Sequence, residues 1–167
     1  MTKKNSKKHQ INYFFQKPGK IPPETLQEIY GLIAAGGKVG LSWVESNLKH
    51  AFLIGYAEDE GRVIGTMSLK VPLEKYVKEI EEKTHLNLHG FLERGYTSVK
   101  PEYRRWRVAD QLDKGLVERA PGEKIYLTIH MENLAAIGLA RGNKMKLAAT
   151  FYNELTGHEV GLFTNQD

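Results

Sequence analysis

Residues 98–112 have the sequence SVKPEYRRWRVADQL. This stretch predicts the end of a strand, a tight connection and a helix that begins at about Arg104. Arg104, Arg105 and Arg107 would then lie in the first turn of that helix. A helix N-terminus presents free backbone N–H groups and the positive end of the helix dipole, so it can hold an anion. The stretch therefore predicts a site for the pyrophosphate of a large cofactor.

The composition is typical of a globular protein with one domain. The chain has 167 residues, of which 41% are hydrophobic and 26% are charged. It contains no cysteine, which excludes disulfides, thiolate metal sites and a cysteine nucleophile. No apolar run approaches the roughly 18 residues that a membrane span needs, and the N-terminus lacks the apolar core of a signal peptide. We therefore expect a cytoplasmic protein without a membrane partner.

The net charge of +4 comes from the first ten residues. Four lysines lie there without an acidic residue among them: Lys3, Lys4, Lys7 and Lys8. Without these lysines the chain holds 20 basic and 20 acidic residues. We interpret residues 1–10 as a basic, disordered tail. A nucleic-acid-binding arm is the alternative, and the even charge balance of the remaining chain argues against it.

Hydrophobic periodicity predicts alternating strands and helices in a single domain over residues 11–167. Strands are predicted at residues 11–15, 51–56, 63–69, 91–99, 125–129, 146–152 and 160–163. Helices are predicted at residues 22–36, 42–50, 72–88, 104–118 and 133–139. The order is therefore β-α-α-β-β-(α)-β-α-β-α-β-β. Its central β-α-β run requires a parallel strand pair inside a mixed sheet, so the fold class is α/β.

Three local signals refine this order. Ser42 and Glu45 have the spacing of a capping box at the start of the second helix. Residues 58–61, EDEG, predict a hairpin turn between two strands. Gly95 interrupts the strand at residues 91–99, and a glycine inside a strand often marks a bulge.

The element order and two short motifs resemble the GNAT superfamily of N-acetyltransferases over nearly the whole chain. Residues 99–104, VKPEYR, are similar to the family's strand-end motif V-x-P-x-Y-R. In the family's cofactor signature Q/R-x-x-G-x-G/A, Arg104 matches the first position and Ala109 the last, but Arg107 replaces the central glycine. Asn133 and Ala136 resemble the family's N-x-x-A motif. The resemblance implies a GNAT-like acyl-CoA N-acyltransferase fold that uses acetyl-coenzyme A.

The resemblance also implies how the cofactor is held. Successive backbone N–H groups would form a nest for its pyrophosphate. The residues of this nest are Arg104, Arg105, Trp106, Arg107, Val108 and Ala109. Arg107 carries a Cβ that glycine lacks, but helical dihedral angles are open to it. We therefore expect the N–H donors to survive, with the Arg107 side chain directed at a phosphate or into the pocket.

The same resemblance implies that strand 91–99 is bulged and diverges from strand 124–130. The pantetheine arm would then pair with the open edge of the first strand at Ser98 and Val99. A backbone N–H there would polarise the thioester carbonyl, as an oxyanion stabiliser does. Asn133 would support the cofactor from the start of the last helix.

Glu93 is the predicted catalytic residue. An amine with a pKa near ~10.4 must lose a proton before it attacks a thioester, so a general base is needed. Glu93 lies six residues before Val99, and the histone-acetylating branch of the superfamily has its glutamate base at that spacing. A bulge between Glu93 and Val99 would place them on opposite faces. The alternative is a surface carboxylate paired with Arg94 or another neighbour.

The general acid of the family, a tyrosine seven residues after the asparagine, falls on Ala140 and is missing. A thiol of pKa near ~8.5 can leave as a thiolate without an acid. Tyr126 and Tyr152 are candidate substitutes, and His130 is a candidate proton shuttle. His85 and His89 have a metal-ligand spacing, but no further ligands lie near them in the sequence, so we expect no metal site.

The sequence thus predicts direct acetyl transfer from acetyl-coenzyme A to the primary amine of a small molecule or peptide. The substitutions at Arg107 and Ala140 favour an alternative, a GNAT-like binding or regulatory module without activity. A third interpretation joins the lysine tail to Arg104–Arg107 in a nucleic-acid interface, against which the charge balance again argues. The acceptor is not predicted, and the oligomeric state stays open, with a homodimer as one alternative.

Overall fold

The structure is a computed structural model that describes residues 9–37 and 40–167. Its strands are β1 (Asn12–Gln16), β2 (Leu53–Asp59), β3 (Arg62–Lys70), β4 (Phe91–Val99), β5 (Lys124–His130), β6 (Lys146–Asn153) and β7 (His158–Thr164). Its helices are α1 (Pro23–Gly36), α2 (Leu41–Leu48), α3 (Glu74–Thr84), α4 (Val108–Glu118) and α5 (Leu134–Gly142). Two short 3₁₀ turns lie at Pro18–Lys20 and Pro101–Tyr103. The predicted element order is confirmed.

The strands form one mixed sheet in the order β1-β2-β3-β4-β5-β7-β6. The pair β4–β5 is parallel and the other neighbouring pairs are antiparallel. Helix α4 connects the parallel pair, because parallel strands need a crossover. The predicted hairpin at residues 58–61 is present between β2 and β3, where Glu60 and Gly61 both have positive φ (51° and 74°).

Helices cover both faces of the sheet. Helices α4 and α5 pack on one face through Leu112, Leu116 and Ile137, which belong to the larger core cluster. Helices α1 and α2 pack on the other face in a second cluster that contains Ile29 and Leu48. Of the helices in the described ranges, none is long and apolar enough to cross a membrane.

The predicted start of the α4 helix at Arg104 is wrong. Helix α4 begins at Val108, and residues 104–107 form the loop before it. Arg104 is extended, with φ −62° and ψ 147°, whereas Arg105 and Arg107 have φ of 72° and 60°. The apolar stripe of the helix gives the physical reason, since its first buried member is Val108. The arginines therefore surround the helix N-terminus instead of forming its first turn.

Two further boundaries differ from the sequence prediction. Helix α2 begins at Leu41 after Gly40, and no side chain caps it, so the predicted capping box of Ser42 and Glu45 does not form. Ser42 already lies inside the helix. Helix α3 ends at Thr84 because His85 adopts the left-handed conformation (φ 59°), which stops the helix before the predicted residue 88.

The predicted tail, residues 1–10, falls mostly on residues 1–8, which lie outside the described residues. His9 is described, and its Nδ1 atom lies 2.6 Å from Oδ2 of the buried Asp59. The His9 ring packs edge-on against Tyr103 and Trp106, at centroid distances of 6.2 and 5.2 Å. The last part of the predicted tail thus contacts the loop that precedes α4.

Candidate functional site

Strand β4 carries the bulge that its glycine predicts. Opposite β3, Gly95 pairs with Ser68 and Ser98 pairs with Thr66, so two residues of β4 face a single residue of β3. Tyr96, directly after the glycine, takes the left-handed conformation with φ 52°. The bulge is confirmed.

Strands β4 and β5 separate after Glu93, just before the bulge in β4. Their parallel pairing runs from Phe91 opposite Lys124 to Glu93 opposite Tyr126 and ends there. The N–H of Lys100 donates to the Ile64 carbonyl of β3 at 2.9 Å. Backbone groups alternate in direction along a strand, so the N–H and carbonyl of Val99 point away from β3. They face the gap that β5 leaves open.

The bulge also puts Glu93 and Val99 on opposite faces of the sheet. Val99 packs against the core cluster beneath α4. Glu93 lines a cleft on the other face, together with Tyr126 and Thr128 of β5. In a regular strand, residues six apart would share a face. The extra residue in β4 therefore turns the carboxylate out of the α4 core and into the cleft.

The cleft has a volume of about 880 Å³ and opens between four parts of the chain. Helix α2 forms one wall, and the segment from Lys70 through helix α3 forms another. The turn between β6 and β7 closes a third side, and β4 and β5 form the floor. Its floor carries Glu93, Tyr96, Tyr126, Thr128 and His130.

Glu93 is held by Lys70, its cross-strand partner on β3. The Lys70 Nζ atom lies 3.2 Å from Oε2 of Glu93 and 4.4 Å from the centroid of the Tyr96 ring. The Lys70 side chain is 14% exposed and that of Glu93 26% exposed. Of the alternative pairing of Glu93 with Arg94 or another neighbour, the Arg94 partner is wrong, because Arg94 forms a buried ion pair with Asp113 of α4. The Lys70 contact provides the neighbour.

The candidate proton donors differ in position. Tyr126 lies on the cleft floor, and burial, followed by the charge of Glu93, raises its pKa. Tyr152 does not line the cleft and is 58% exposed. His130 lines the cleft and stacks on His158 at 4.7 Å. Ala140, where the family tyrosine would fall, is fully buried in the core.

The loop before α4 differs from the predicted nest, because Arg104 is extended and Arg105 and Arg107 are left-handed instead of helical. The Arg107 side chain folds back along the helix, with Nη2 at 2.8 Å from Oδ2 of Asp110. Burial opposes ionisation of Asp110, but hydrogen bonds from Lys114, Asn143 and Arg107 outweigh it and lower the pKa. This cluster was not predicted, although Asp110 and Lys114 have the i,i+4 spacing of a helical ion pair.

Backbone donors surround the start of α4. No hydrogen bond between described residues uses the N–H groups of Arg105, Arg107, Val108 or Ala109. The N–H of Trp106 instead donates to the Tyr103 carbonyl at 3.3 Å. The indole of Trp106 packs against Tyr103 at 5.4 Å. The unbonded N–H groups therefore have the character of an anion site. The Trp106 side chain packs against His9 and Tyr103 instead.

Comparison with known proteins identifies the family. The model of the acetyltransferase (GNAT) family matches residues 22–143. The chain belongs to the GNAT family. A search of curated proteins finds none that matches it.

Solved structures of GNAT proteins have the same fold. Arabidopsis thaliana NAA60 in complex with acetyl-CoA aligns with a TM-score of 0.68 at 15% identity, over 93% of this chain and 97% of that chain. The ribosomal-protein-S18-alanine N-acetyltransferase of Escherichia coli aligns with 0.67 at 14%, over 92% of each chain. A GNAT acetyltransferase of Streptococcus agalactiae aligns with 0.71 at 12%, over 93% of this chain and 95% of that chain.

Three residues that the GNAT resemblance assigns to the cofactor have structural partners. The Ser98 hydroxyl donates to the Leu32 carbonyl of α1 at 3.1 Å. The Asn133 side chain caps α5, because its Oδ1 accepts from the N–H of Ala136 at 3.1 Å. Arg104 donates from Nε to the Val99 carbonyl at 3.4 Å. Their cofactor roles stay predictions.

The cap at Asn133 gives a first testable prediction. Replacing Asn133 by alanine removes the acceptor for the Ala136 N–H, so the free energy of unfolding should fall by about 1 kcal/mol. Urea denaturation measures the change. Asn133→Asp retains an acceptor oxygen and serves as the matched control. A loss that is equal in both variants would contradict the capping role.

The left-handed backbone at Arg107 gives a second prediction. A residue with a Cβ pays roughly 1–2 kcal/mol in this conformation, whereas glycine adopts it readily. Arg107→Gly and Arg107→Ala both remove the ion pair with Asp110. We therefore expect the glycine variant to be about 1 kcal/mol more stable than the alanine variant in urea denaturation. Equal stability of the two variants would contradict a strained Arg107.

Proposed function

We propose that this GNAT protein transfers an acetyl group from acetyl-coenzyme A to a primary amine by direct attack, with Glu93 as the general base. One observation carries the proposal. The parallel pairing of β4 and β5 ends at Glu93, so the carboxylate stands where the strands part and faces the cleft. The backbone of Val99 faces the same gap. An amine in the cleft and an acyl donor in the gap would meet there.

The chain has groups that fit the parts of acetyl-coenzyme A. The unbonded N–H groups of residues 105 and 107–109 suit the pyrophosphate, because a left-handed loop at a helix N-terminus concentrates donors toward one anion. The open edge of β4 at Val99 suits an amide group of pantetheine, whereas the backbone of Ser98, by the same alternation, faces β3. Acetyl-coenzyme A supplies the thioester from which the acetyl group is transferred. The complex of plant NAA60 with acetyl-CoA supports the same assignment by analogy.

The residues of the cleft perform the proton transfers. Glu93 takes a proton from the protonated amine, directly or through a water molecule, and thereby supplies the neutral nucleophile. The C–N bond forms and the C–S bond breaks, and the second proton on the nitrogen passes to the departing thiolate or to water as the amide forms. The Val99 N–H stabilises the negative charge that develops on the carbonyl oxygen. Tyr126 lies on the cleft floor with a raised pKa, which makes it a weak proton donor toward a thiolate of pKa ~8.5, so the thiolate leaves without a general acid. Without cysteine, the chain offers no thiol for a covalent acetyl intermediate.

A second candidate function is a binding or regulatory module that has lost the activity. The side chain of Arg107 at the anion site and the absence of a tyrosine at Ala140 favour it. The transferase requires coenzyme binding and turnover, whereas the module predicts no turnover and does not require coenzyme binding. The localisation in the cytoplasm, the homodimer and the source of the amine stay expectations under either function. The S18-alanine enzyme of E. coli is a neighbour whose name gives a protein amine as its substrate.

The experiment that separates the two functions follows both products of the reaction. Acetyl-coenzyme A and a panel of amines are incubated with the protein, free thiol is measured with a chromogenic reagent, and N-acetylated product is measured by mass spectrometry. We expect one thiol per acetylated amine and no acetylated enzyme in the intact-mass spectrum. Coenzyme binding without thiol release for any amine would support the binding module and contradict the transferase.

A further inference from the structure

Exposed apolar side chains gather around the mouth of the cleft. Among the described residues, eleven large apolar side chains are exposed, and five of these line the cleft. The five are Trp43, Val71, Leu73, Tyr76 and Leu155. They come from α2, from the segment before α3, from α3 itself and from the β6–β7 turn. Side chains from such distant parts of the chain form one apolar rim only because the fold brings them together at this opening.

The charges of the cleft are nearly balanced. Among the described residues, its lining includes three carboxylates, at Glu79, Glu93 and Glu154, and two ammonium groups, at Lys70 and Lys83. One carboxylate and one ammonium group are already paired, since Lys70 lies 3.2 Å from Glu93. A polyamine carries several positive charges and needs an excess of carboxylates to offset its desolvation. The described lining has an excess of only one carboxylate, so it favours a ligand with one amine and an apolar remainder.

We propose that the acceptor is a primary amine attached to an apolar or aromatic body. The proposal rests on the proposed function above and names its substrate class. The amine would lie at Glu93 on the floor, and the body would pack against Trp43 and Tyr76 at the rim. A volume of about 880 Å³ matches the size of pockets that enclose a small molecule. The same chemistry is offered by a free arylalkylamine and by a peptide whose first residue is apolar.

Binding of defined amines tests the proposal by isothermal titration calorimetry, with coenzyme A absent and present. The probes are 2-phenylethylamine, the tripeptide Phe-Ala-Ala, spermidine and a lysine peptide with a blocked N-terminus. We expect one of the first two to bind at least about tenfold more tightly than the last two. Tighter binding of 2-phenylethylamine indicates a small-molecule acceptor, and tighter binding of the tripeptide indicates a peptide. Equal or tighter binding of spermidine or the lysine peptide would overturn the proposal.

Variants of rim residues test whether these side chains cause the preference for an apolar amine. Tyr76→Ala and Trp43→Ala should each weaken binding of the preferred amine roughly tenfold, because each removes an aromatic contact surface. Tyr152→Ala is the matched control, since Tyr152 is exposed to 58%, against 45% for Tyr76, but does not line the cleft. Unchanged binding in both rim variants, or an equal loss in the control, would overturn the proposal.

The binding measurement requires no acetyl transfer, so failure of the acceptor class and failure of the proposed function are distinguishable. A protein that binds the aromatic amine and never consumes acetyl-coenzyme A would support the acceptor class and contradict the transferase. A protein that acetylates spermidine and ignores the aromatic amine and the tripeptide would overturn the acceptor class and leave the transferase intact.

Discussion

Replacing Glu93 by glutamine is expected to lower the rate of acetyl transfer by roughly 10²–10⁴-fold, the usual contribution of a general base. Glutamine has nearly the same shape, and its amide oxygen can still accept a hydrogen bond from Lys70, so we expect the fold to be retained. The glutamine amide cannot take a proton from the amine. The loss should therefore appear in kcat, with the affinity for acetyl-coenzyme A retained.

The pH profile separates a lost base from a disturbed cleft. Without the carboxylate, transfer depends on the fraction of amine that is already neutral. The rate of the Glu93→Gln variant should then rise about tenfold per pH unit until the pH approaches the pKa of the amine, which is about 8 for the N-terminus of a peptide and ~10.4 for a lysine-type alkylamine. The wild-type protein should depend less steeply on pH over this range, because Glu93 accepts the proton.

A matched control tests whether the effect belongs to position 93. Glu118 is an exposed glutamate near the end of α4, distant from the cleft lining. Glu118→Gln should leave the turnover unchanged. If Glu93→Gln keeps the turnover and pH profile of the wild-type protein, Glu93 is a surface carboxylate bound to Lys70 and takes no part in proton transfer.

Replacing Asp113 by alanine is expected to reduce the free energy of unfolding by about 3–5 kcal/mol. Asp113 is fully buried and accepts a hydrogen bond from Nη1 of Arg94, whose side chain is 4% exposed. Burial raises the pKa of Asp113, and the guanidinium opposes this rise. The single substitution leaves the Arg94 charge buried without its partner, and that desolvated charge causes the loss.

Two comparisons in urea denaturation define the effect. The double variant Arg94→Met with Asp113→Leu removes both charges and should lose much less stability than either single variant. The pair of Arg62 and Glu28 serves as a surface control, because the Arg62 side chain is 71% exposed. Arg62→Met should cost at most about 1 kcal/mol. A loss of that small size in Asp113→Ala would contradict the buried pair.

The sequence contains enough information for the order of the elements and for the bulge. Two patterns of apolar spacing can be read directly from the sequence. They are the period-two pattern around Ile125 and the helical stripe of Val108, Leu112 and Leu116. Gly95 marks the bulge because glycine weakens a regular strand. Alternation along a strand also excludes a Glu93–Arg94 contact, since neighbouring residues point to opposite faces.

The conformation of the loop before α4 could not be predicted from apolar spacing or from glycine positions. Arg105, Arg107 and Tyr96 adopt positive φ, which is uncommon for residues other than glycine. A prediction from helix propensity therefore starts α4 too early, at the arginines. The true start at Val108 depends on tertiary packing, which the sequence does not show. The contact of Lys70 with Glu93 depends on the register of β3 and β4, and a register cannot be read from either strand alone.

The apolar rim of the cleft could not be predicted from the sequence either. Trp43 and Leu155 are more than 100 residues apart in the chain, and each is by itself an ordinary exposed apolar residue. Their significance appears only when α2 and the β6–β7 turn lie at one opening. The acceptor class thus depends on the assembled fold, whereas the family follows from local motifs.

Thermal unfolding with acetyl-coenzyme A tests the central claim most directly. At about 100 times its dissociation constant, a ligand of the folded state adds roughly 2.7 kcal/mol, which corresponds to a rise in Tm of about 5–10 °C for a chain of this size. Adenosine triphosphate, which has phosphates but no pantetheine, is the control and should produce a much smaller rise. An unchanged Tm at millimolar acetyl-coenzyme A, or an equal rise with adenosine triphosphate, would contradict the assignment of the β4–β5 gap to the acyl donor.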